Sequence, residues 1–162
     1  MREEALKDLV SAIFGMKKGE CEYYPCHFEG QDCSLCFCPF YPCLYNAFGR
    51  LKNFKVWSCV ECTWIHEKEN VEKVVEYFSF VPVQKIAEMS WIELNKAFQK
   101  IVFGEEVWEE VNGVYSLLKM NEGLGSELID VRIENYNVAE VRKINRVEEA
   151  KHVLTLYDPG LD

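Results

Sequence analysis

Long apolar runs are missing from this 162-residue chain. No stretch approaches the roughly 18 to 20 apolar residues that cross a bilayer. The opening MREEALKDLVSAIFG mixes both charge signs with apolar positions and lacks the continuous apolar core of a secretion signal. A cytoplasmic protein with no membrane partner is therefore expected. Positive charge is also in short supply: 18 Lys and Arg stand against 27 Asp and Glu, a net charge of −9. That balance opposes nucleic-acid binding, which needs basic side chains to neutralise phosphates. Glutamine is scarce beside abundant glutamate, a bias shared with heat-adapted chains. A nucleophile elbow, a Walker loop and a glycine-rich dinucleotide turn are all absent, so no catalytic residue is assigned and enzymatic activity is not expected. There are no internal repeats and no low-complexity linker.

What is present is cysteine, and it is concentrated. All eight cysteines fall between Cys21 and Cys62, among many aromatic residues. This divides the chain into an N-terminal packing helix (1–20), a cysteine-rich module (21–66) and an acidic, mainly helical region (67–162). The fold class expected is α+β: mostly helical outside a small irregular metal-binding module, with a short β-hairpin near the C-terminus.

In the first segment Leu6, Leu9, Val10, Ile13 and Phe14 share one helical face, and Gly15 ends it. In the third, Val71, Val74, Val75 and Phe78 form a second stripe, and Pro82 interrupts or opens the next helix. SWIE at Ser90–Glu93 is a capping box that starts a helix carrying Leu94, Ala97, Phe98 and Ile101 up to Gly104. A further helix is expected through Val107, Val111, Val114 and Leu118, with Gly113 an awkward member. Ile129, Val131 and Ile133 alternate like a strand, and ENYN can turn the chain into a second strand at 138–144, where a helix competes. NRVE at Asn145–Glu148 reads as the start of a last helix reaching Leu156.

The donors of the module are Cys21, Cys26, His27, Cys33, Cys36, Cys38, Cys43, Cys59, Cys62 and His66. The pairs Cys33/Cys36 and Cys59/Cys62 have the C-x2-C spacing with which one tight turn aims two sulfurs at one cation. The other donors are enough for a second four-ligand site, and Cys36-Phe37-Cys38 suggests that the two sites lie close together. Spacing does not fix which ligands share a site. A reducing cytoplasm argues against a disulfide framework, which the even cysteine count alone would allow. Isolated C-x2-C pairs with nearby histidines suit zinc, two ions in all; a 4Fe–4S cluster is the alternative cofactor, since Cys38 precedes a proline as in some ferredoxin runs. Tyr23, Tyr24, Phe28, Phe37, Phe40, Tyr41, Trp57 and Trp64 are expected to pack as core in a module too small for a large aliphatic one. Only Arg50, Lys52 and Lys55 are basic there, so a base-stacking surface is the weaker reading.

CEYYPCHFEGQDCSLCFCPFYPC followed by VWSCVECTWIH resembles the cysteine-rich small domain, a zinc-finger-like family of archaea and some bacteria. The resemblance runs from Cys21 to His66, and all eight cysteines, His27 and His66 match positions of its pattern. It implies metal binding. It also implies a link to cobalamin metabolism, because the domain occurs attached to cobalamin-biosynthesis enzymes, including a threonine-phosphate decarboxylase. The present chain is too short to hold a pyridoxal-phosphate enzyme, and residues 67–162 resemble nothing familiar. The expected function is a metal-binding accessory or interaction protein with a protein partner. An iron–sulfur or metal-dependent redox protein and a zinc-ribbon nucleic-acid binder are the alternatives.

Overall fold

The computed structural model describes residues 2–16, 21–45, 47–53, 55–106, 114–121, 125–144 and 153–156. Helix α1 (Arg2–Ile13) buries Ala5 and Leu9, four residues apart on one face. It ends at Gly15, whose φ of 70° suits the left-handed conformation that closes helices. Phe14, expected on the buried face, lies beyond the last helical residue and is 66% exposed. Helical periodicity no longer sets its direction there.

Helix α2 (Lys68–Ser79) buries Val71, Val74 and Phe78 of the stripe read from the sequence, and Val75 is half-buried at its edge. Pro82 caps α3 (Val83–Glu88), where its fixed φ and missing N–H cost nothing. Helix α4 (Trp91–Phe103) opens on Ser90, whose Oγ accepts the Glu93 N–H at 3.2 Å, and closes on Gly104 at φ 81°. The capping box and the glycine stop therefore both act as the sequence proposes. Helix α1 packs on α2 and α3, and α2 on α4.

The chain divides into two compact units, Met1–Phe40 with Glu61–Gly104, and Tyr41–Val60 with Glu105–Asp162. The core of the first is Leu9, Leu35, Ile65, Val74, Phe78, Ile86, Leu94 and Phe98, closed by Phe40 from the cysteine segment. The Phe40 ring lies 6.0 Å from Phe78 and 5.5 Å from Phe98, offset distances at which aromatic rings attract. Part of the cysteine segment thus shares one core with α2 and α4.

The second unit holds two sheets. Strands β1 (Arg50–Lys52) and β2 (Val56–Ser58) pair antiparallel, Leu51 opposite Trp57. The other sheet has the order β5-β4-β3-β6, from β3 (Val114–Asn121), β4 (Gly125–Glu134), β5 (Asn137–Ile144) and β6 (Val153–Leu156). Strands β3, β4 and β5 run antiparallel in sequence, whereas β6 joins β3 parallel. The β4–β5 hairpin turns through Asn135 and Tyr136, both at positive φ, as a two-residue hairpin turn requires. The alternation around Val131 and the ENYN turn are thus confirmed, and strand prevails over helix at 138–144.

Two expected helices are corrected. Val114–Asn121 is a strand where a helix through Val107–Leu118 was expected, and Val153–Leu156 is a strand where a last helix was expected. Residues 107–113 and 145–152 lie outside the described residues. In both places apolar residues recur every three or four positions, but β-sheet partners override a weak helical pattern. The α+β class stands, with a C-terminal sheet larger than a lone hairpin. Among the described residues no helix is long and apolar enough to cross a membrane.

Candidate metal centre

The loop after α1 is organised by a residue that ligand spacing does not single out. Gln31 is 6% exposed. Its Oε1 accepts the backbone N–H of His27 at 2.8 Å and of Phe28 at 3.2 Å. Its Nε2 lies 3.4 Å from the Cys26 Sγ and 3.3 Å from the Cys33 Sγ. One carboxamide therefore closes the loop and gathers two of the expected sulfur donors on one nitrogen. Gly30, at φ 87°, gives the chain the left-handed step just before it, and its N–H donates to the Tyr24 hydroxyl at 2.8 Å.

The next residue ties in the far end of the module. Asp32 donates its N–H to the His66 carbonyl at 2.7 Å, and the His66 Nδ1 stands 3.0 Å from the Asp32 carbonyl. Since a carbonyl only accepts, Nδ1 carries a proton and donates it to that oxygen. Metal-ligating histidines are held in this way, by a hydrogen bond from the other ring nitrogen. His66 is 3% exposed, and its ring centroid is 4.5 Å from that of His27. Partial burial, with the neighbouring His66, pushes the His27 pKa down, favouring the neutral imidazole that binds metals.

His66 ends a single 3-10 turn, Trp64–His66, that starts two residues after Cys62, with Thr63 between. Asn70, at the start of α2, fixes this turn by donating Nδ2 to the Trp64 carbonyl at 3.0 Å and to Glu67 Oε2 at 2.8 Å. Burial pushes the Cys62 thiol up. The backbone N–H groups of Ile65 and Trp64, aimed at its sulfur, pull it back, and the Glu67 charge again raises it. Backbone amides on a sulfur are what a metal-binding turn supplies to a thiolate. The Cys33/Cys36 turn is closed by the Cys36 N–H on the Cys33 carbonyl at 3.3 Å.

The first unit holds Cys21, Cys26, His27, Cys33, Cys36, Cys38, Cys62 and His66, and the second Cys43 and Cys59. None of the eight cysteines, all of them described residues, forms a disulfide. Within the first unit Cys26 and Cys33 converge on Gln31, and His27 meets His66. Among the described residues no group of three or more Cys, His, Asp or Glu side chains stands at metal-coordinating spacing. The donor chemistry nonetheless fits a thiophilic cation. Two sulfurs face one N–H donor group, and a buried imidazole is anchored through Nδ1, as the ring of a metal-ligating histidine is. Such a cation would cross-link distant parts of a loop-rich segment.

In the second unit Cys43 is buried, and Tyr41 donates its hydroxyl to the Trp57 carbonyl at 2.7 Å. Burial, with the neighbouring Cys59, raises the Tyr41 pKa. The aromatic expectation holds for Phe40 and Trp57, both buried. It fails for Tyr23, Tyr24 and Phe37, which are 73%, 45% and 42% exposed. All three stand on loops outside helices and strands. Gln31 is the residue ligand spacing misses. The available signal is a rare glutamine placed between Glu29 and Asp32, two residues before a cysteine.

This arrangement defines a small cysteine-rich domain built on loops that a polar hub and a histidine clasp hold together. Residues 12–88 match the family described as the cysteine-rich small domain, zf-like, as the sequence resemblance implies. The chain is 55% identical over 56 residues to a probable cobalt-factor III C(17)-methyltransferase of Methanothermobacter thermautotrophicus, a stretch covering 33% of this chain and 16% of that enzyme. It is 44% identical over 59 residues to an uncharacterised protein of Methanocaldococcus jannaschii, covering 34% of this chain and 50% of the relative. The chain thus spans between one sixth and one half of the curated relatives it matches. No solved structure matches it.

Proposed function

We propose that this chain is a metal-binding accessory protein whose cysteine and histidine side chains hold zinc in a structural role. The observation that carries this reading is the His66 clasp. A buried imidazole is anchored through Nδ1 to the Asp32 carbonyl, beside His27 and in the unit that holds Cys26 and Cys33. A hydrogen bond on one ring nitrogen is how metal-ligating histidines are oriented, and a thiophilic cation is the partner that thiols and imidazoles share. The two C-x2-C pairs and the eight thiols support a capacity of two ions.

The setting proposed is cobalamin metabolism, beside a ring-modifying enzyme. A stretch of this chain matches one sixth of a methyltransferase, which supports a module working with an enzyme as its protein partner. A cytoplasmic location follows from the same setting.

Anaerobic purification with elemental analysis tests the reading. The expected result is a colourless protein releasing about two zinc ions per chain. Chelation should then abolish the near-UV circular dichroism of the packed aromatic residues, since structural zinc supplies folding free energy. A metal-free chain with an intact near-UV spectrum overturns the structural role. Visible absorption that bleaches with dithionite replaces zinc by an iron–sulfur cluster.

A further inference from the structure

The Gln31 carboxamide has four hydrogen-bond positions, two acceptor sites on Oε1 and two N–H donors on Nε2. All four have a partner: the His27 and Phe28 N–H groups on one side, the Cys26 and Cys33 sulfurs on the other. The two sides cannot be exchanged. Backbone N–H groups only donate, so Oε1 must face them, and the NH2 group is thereby turned onto the sulfurs. The Cys26 Sγ also lies 3.8 Å from Oε1. That contact is the longer one and falls on an oxygen already taken by two donors, so the shorter contact to Nε2 governs. The loop's own backbone thus dictates the direction of the donor fork.

An NH2 group that only donates favours sulfur as an acceptor, and a thiolate accepts far better than a thiol. We propose that Gln31 is a positioning residue that orients Cys26 and Cys33 as paired thiolate ligands of one metal ion. This rests on the metal-binding reading above, and it adds the pairing of Cys26 with Cys33, which the spacing leaves open. Glutamate in the same place would keep an acceptor for His27 and Phe28 but would turn an anion onto two anions. Leucine would remove both halves of the hub.

The test is a Co(II) titration of the full chain under reducing conditions, read by the thiolate-to-cobalt charge-transfer band, together with amide exchange at His27 and Phe28. Wild type should show the band. Q31E should keep protection of both amides, lose about 10- to 100-fold in Co(II) affinity, the usual effect of removing a residue that orients metal ligands, and move the band to lower energy. The shift is expected because N–H donors no longer draw density from the sulfurs. Q31L should lose amide protection as well as affinity. Q31E binding Co(II) at wild-type strength or tighter, with the band unmoved, overturns the proposal and leaves metal binding standing. Q31E losing amide protection together with affinity also overturns it, because Gln31 would then act on the fold alone. Wild type without a thiolate–cobalt band overturns the metal reading itself, and this proposal with it.

Discussion

Gly49 shows how tightly one residue can be constrained without any catalytic role. A Cβ placed on it would stand 2.7 Å from the Ser58 carbonyl oxygen and from two atoms of the Trp57 indole. Trp57 is buried and Ser58 is backbone in β2, so neither can retreat cheaply. G49A should destabilise the chain by about 1–3 kcal/mol, the usual range for overpacking a filled site, measured as a lower midpoint in thermal or urea unfolding. An unchanged midpoint would show that the β1–β2 segment sits less closely on Gly49. His66 is constrained by chemistry. H66A removes both the Asp32 anchor and the second ring nitrogen, the proposed ligand atom. It should lower the bound metal by one ion per chain, or weaken its retention against a competing chelator by at least tenfold, about 1.4 kcal/mol. Full retention at wild-type strength would remove His66 from the ligand set. These positions differ in legibility. The C-x2-C spacing announces thiols, whereas Gly49 carries no motif and acquires its importance from an indole eight residues away.

At the scale of the element, α4 is the best-defined helix because its start and stop are both written locally. Ser90 Oγ accepts the Glu93 N–H, and Gly104 takes the left-handed closing position. S90A should cost about 1 kcal/mol, as loss of a serine N-cap usually does, read by thermal unfolding. Glu93 adds a pH dependence of defined sign. Slight burial pushes its carboxyl up. The Ser90 backbone N–H and the Lys85 ammonium at 3.4 Å outweigh that effect and hold the carboxyl below its usual value. A carboxyl lowered in the folded state stabilises above its unfolded pKa and loses that contribution as pH falls through the folded one. E93Q should therefore have a lower melting temperature than wild type near neutrality. The gap should narrow below about pH 4.3, the ordinary glutamate value, and close at more acid pH. An equal gap at pH 7 and pH 2 would show that the carboxylate charge is not responsible. The exposed pair contributes little beyond this. Strand replaces the expected helix at 114–118 and at 153–156 for the opposite reason. No cap is seen at either stretch among the described residues, and Val114–Asn121 pairs with Gly125–Arg132 on one side and Val153–Leu156 with Ser116–Lys119 on the other, so strand partners supply the hydrogen bonds.

At the scale of the whole molecule, the cysteine segment buries Leu35, Phe40, Leu44, Trp57 and Ile65 but leaves Tyr23, Tyr24 and Phe37 exposed on its loops. On the metal-binding reading proposed above, metal bonds would cross-link these loops. Metal removal should therefore act on tertiary structure before secondary structure. The near-UV signal is expected to collapse, while far-UV helicity is retained in part, because α2 and α4 have their own apolar stripes and contacts. Equal loss in both regions would mean that the helices depend on the metal as much as the loops do.

What the sequence determines here is local. The capping box at Ser90, the glycine stops at Gly15 and Gly104, the stripe Val71–Val74–Phe78 and the concentration of thiols all act through neighbours a few residues away, so their physics is written in the order of residues. Only the tertiary structure decides the rest. It chooses strand over helix at Val114–Asn121 by supplying a partner strand. It sends Phe40 into the core and leaves Phe37 outside. It also joins Asp32 to His66 across 34 residues and makes Gln31 the hub of two cysteines. Hydrogen-bond and packing partners that are distant in sequence cannot be read from spacing, because they form only once folding brings them into reach.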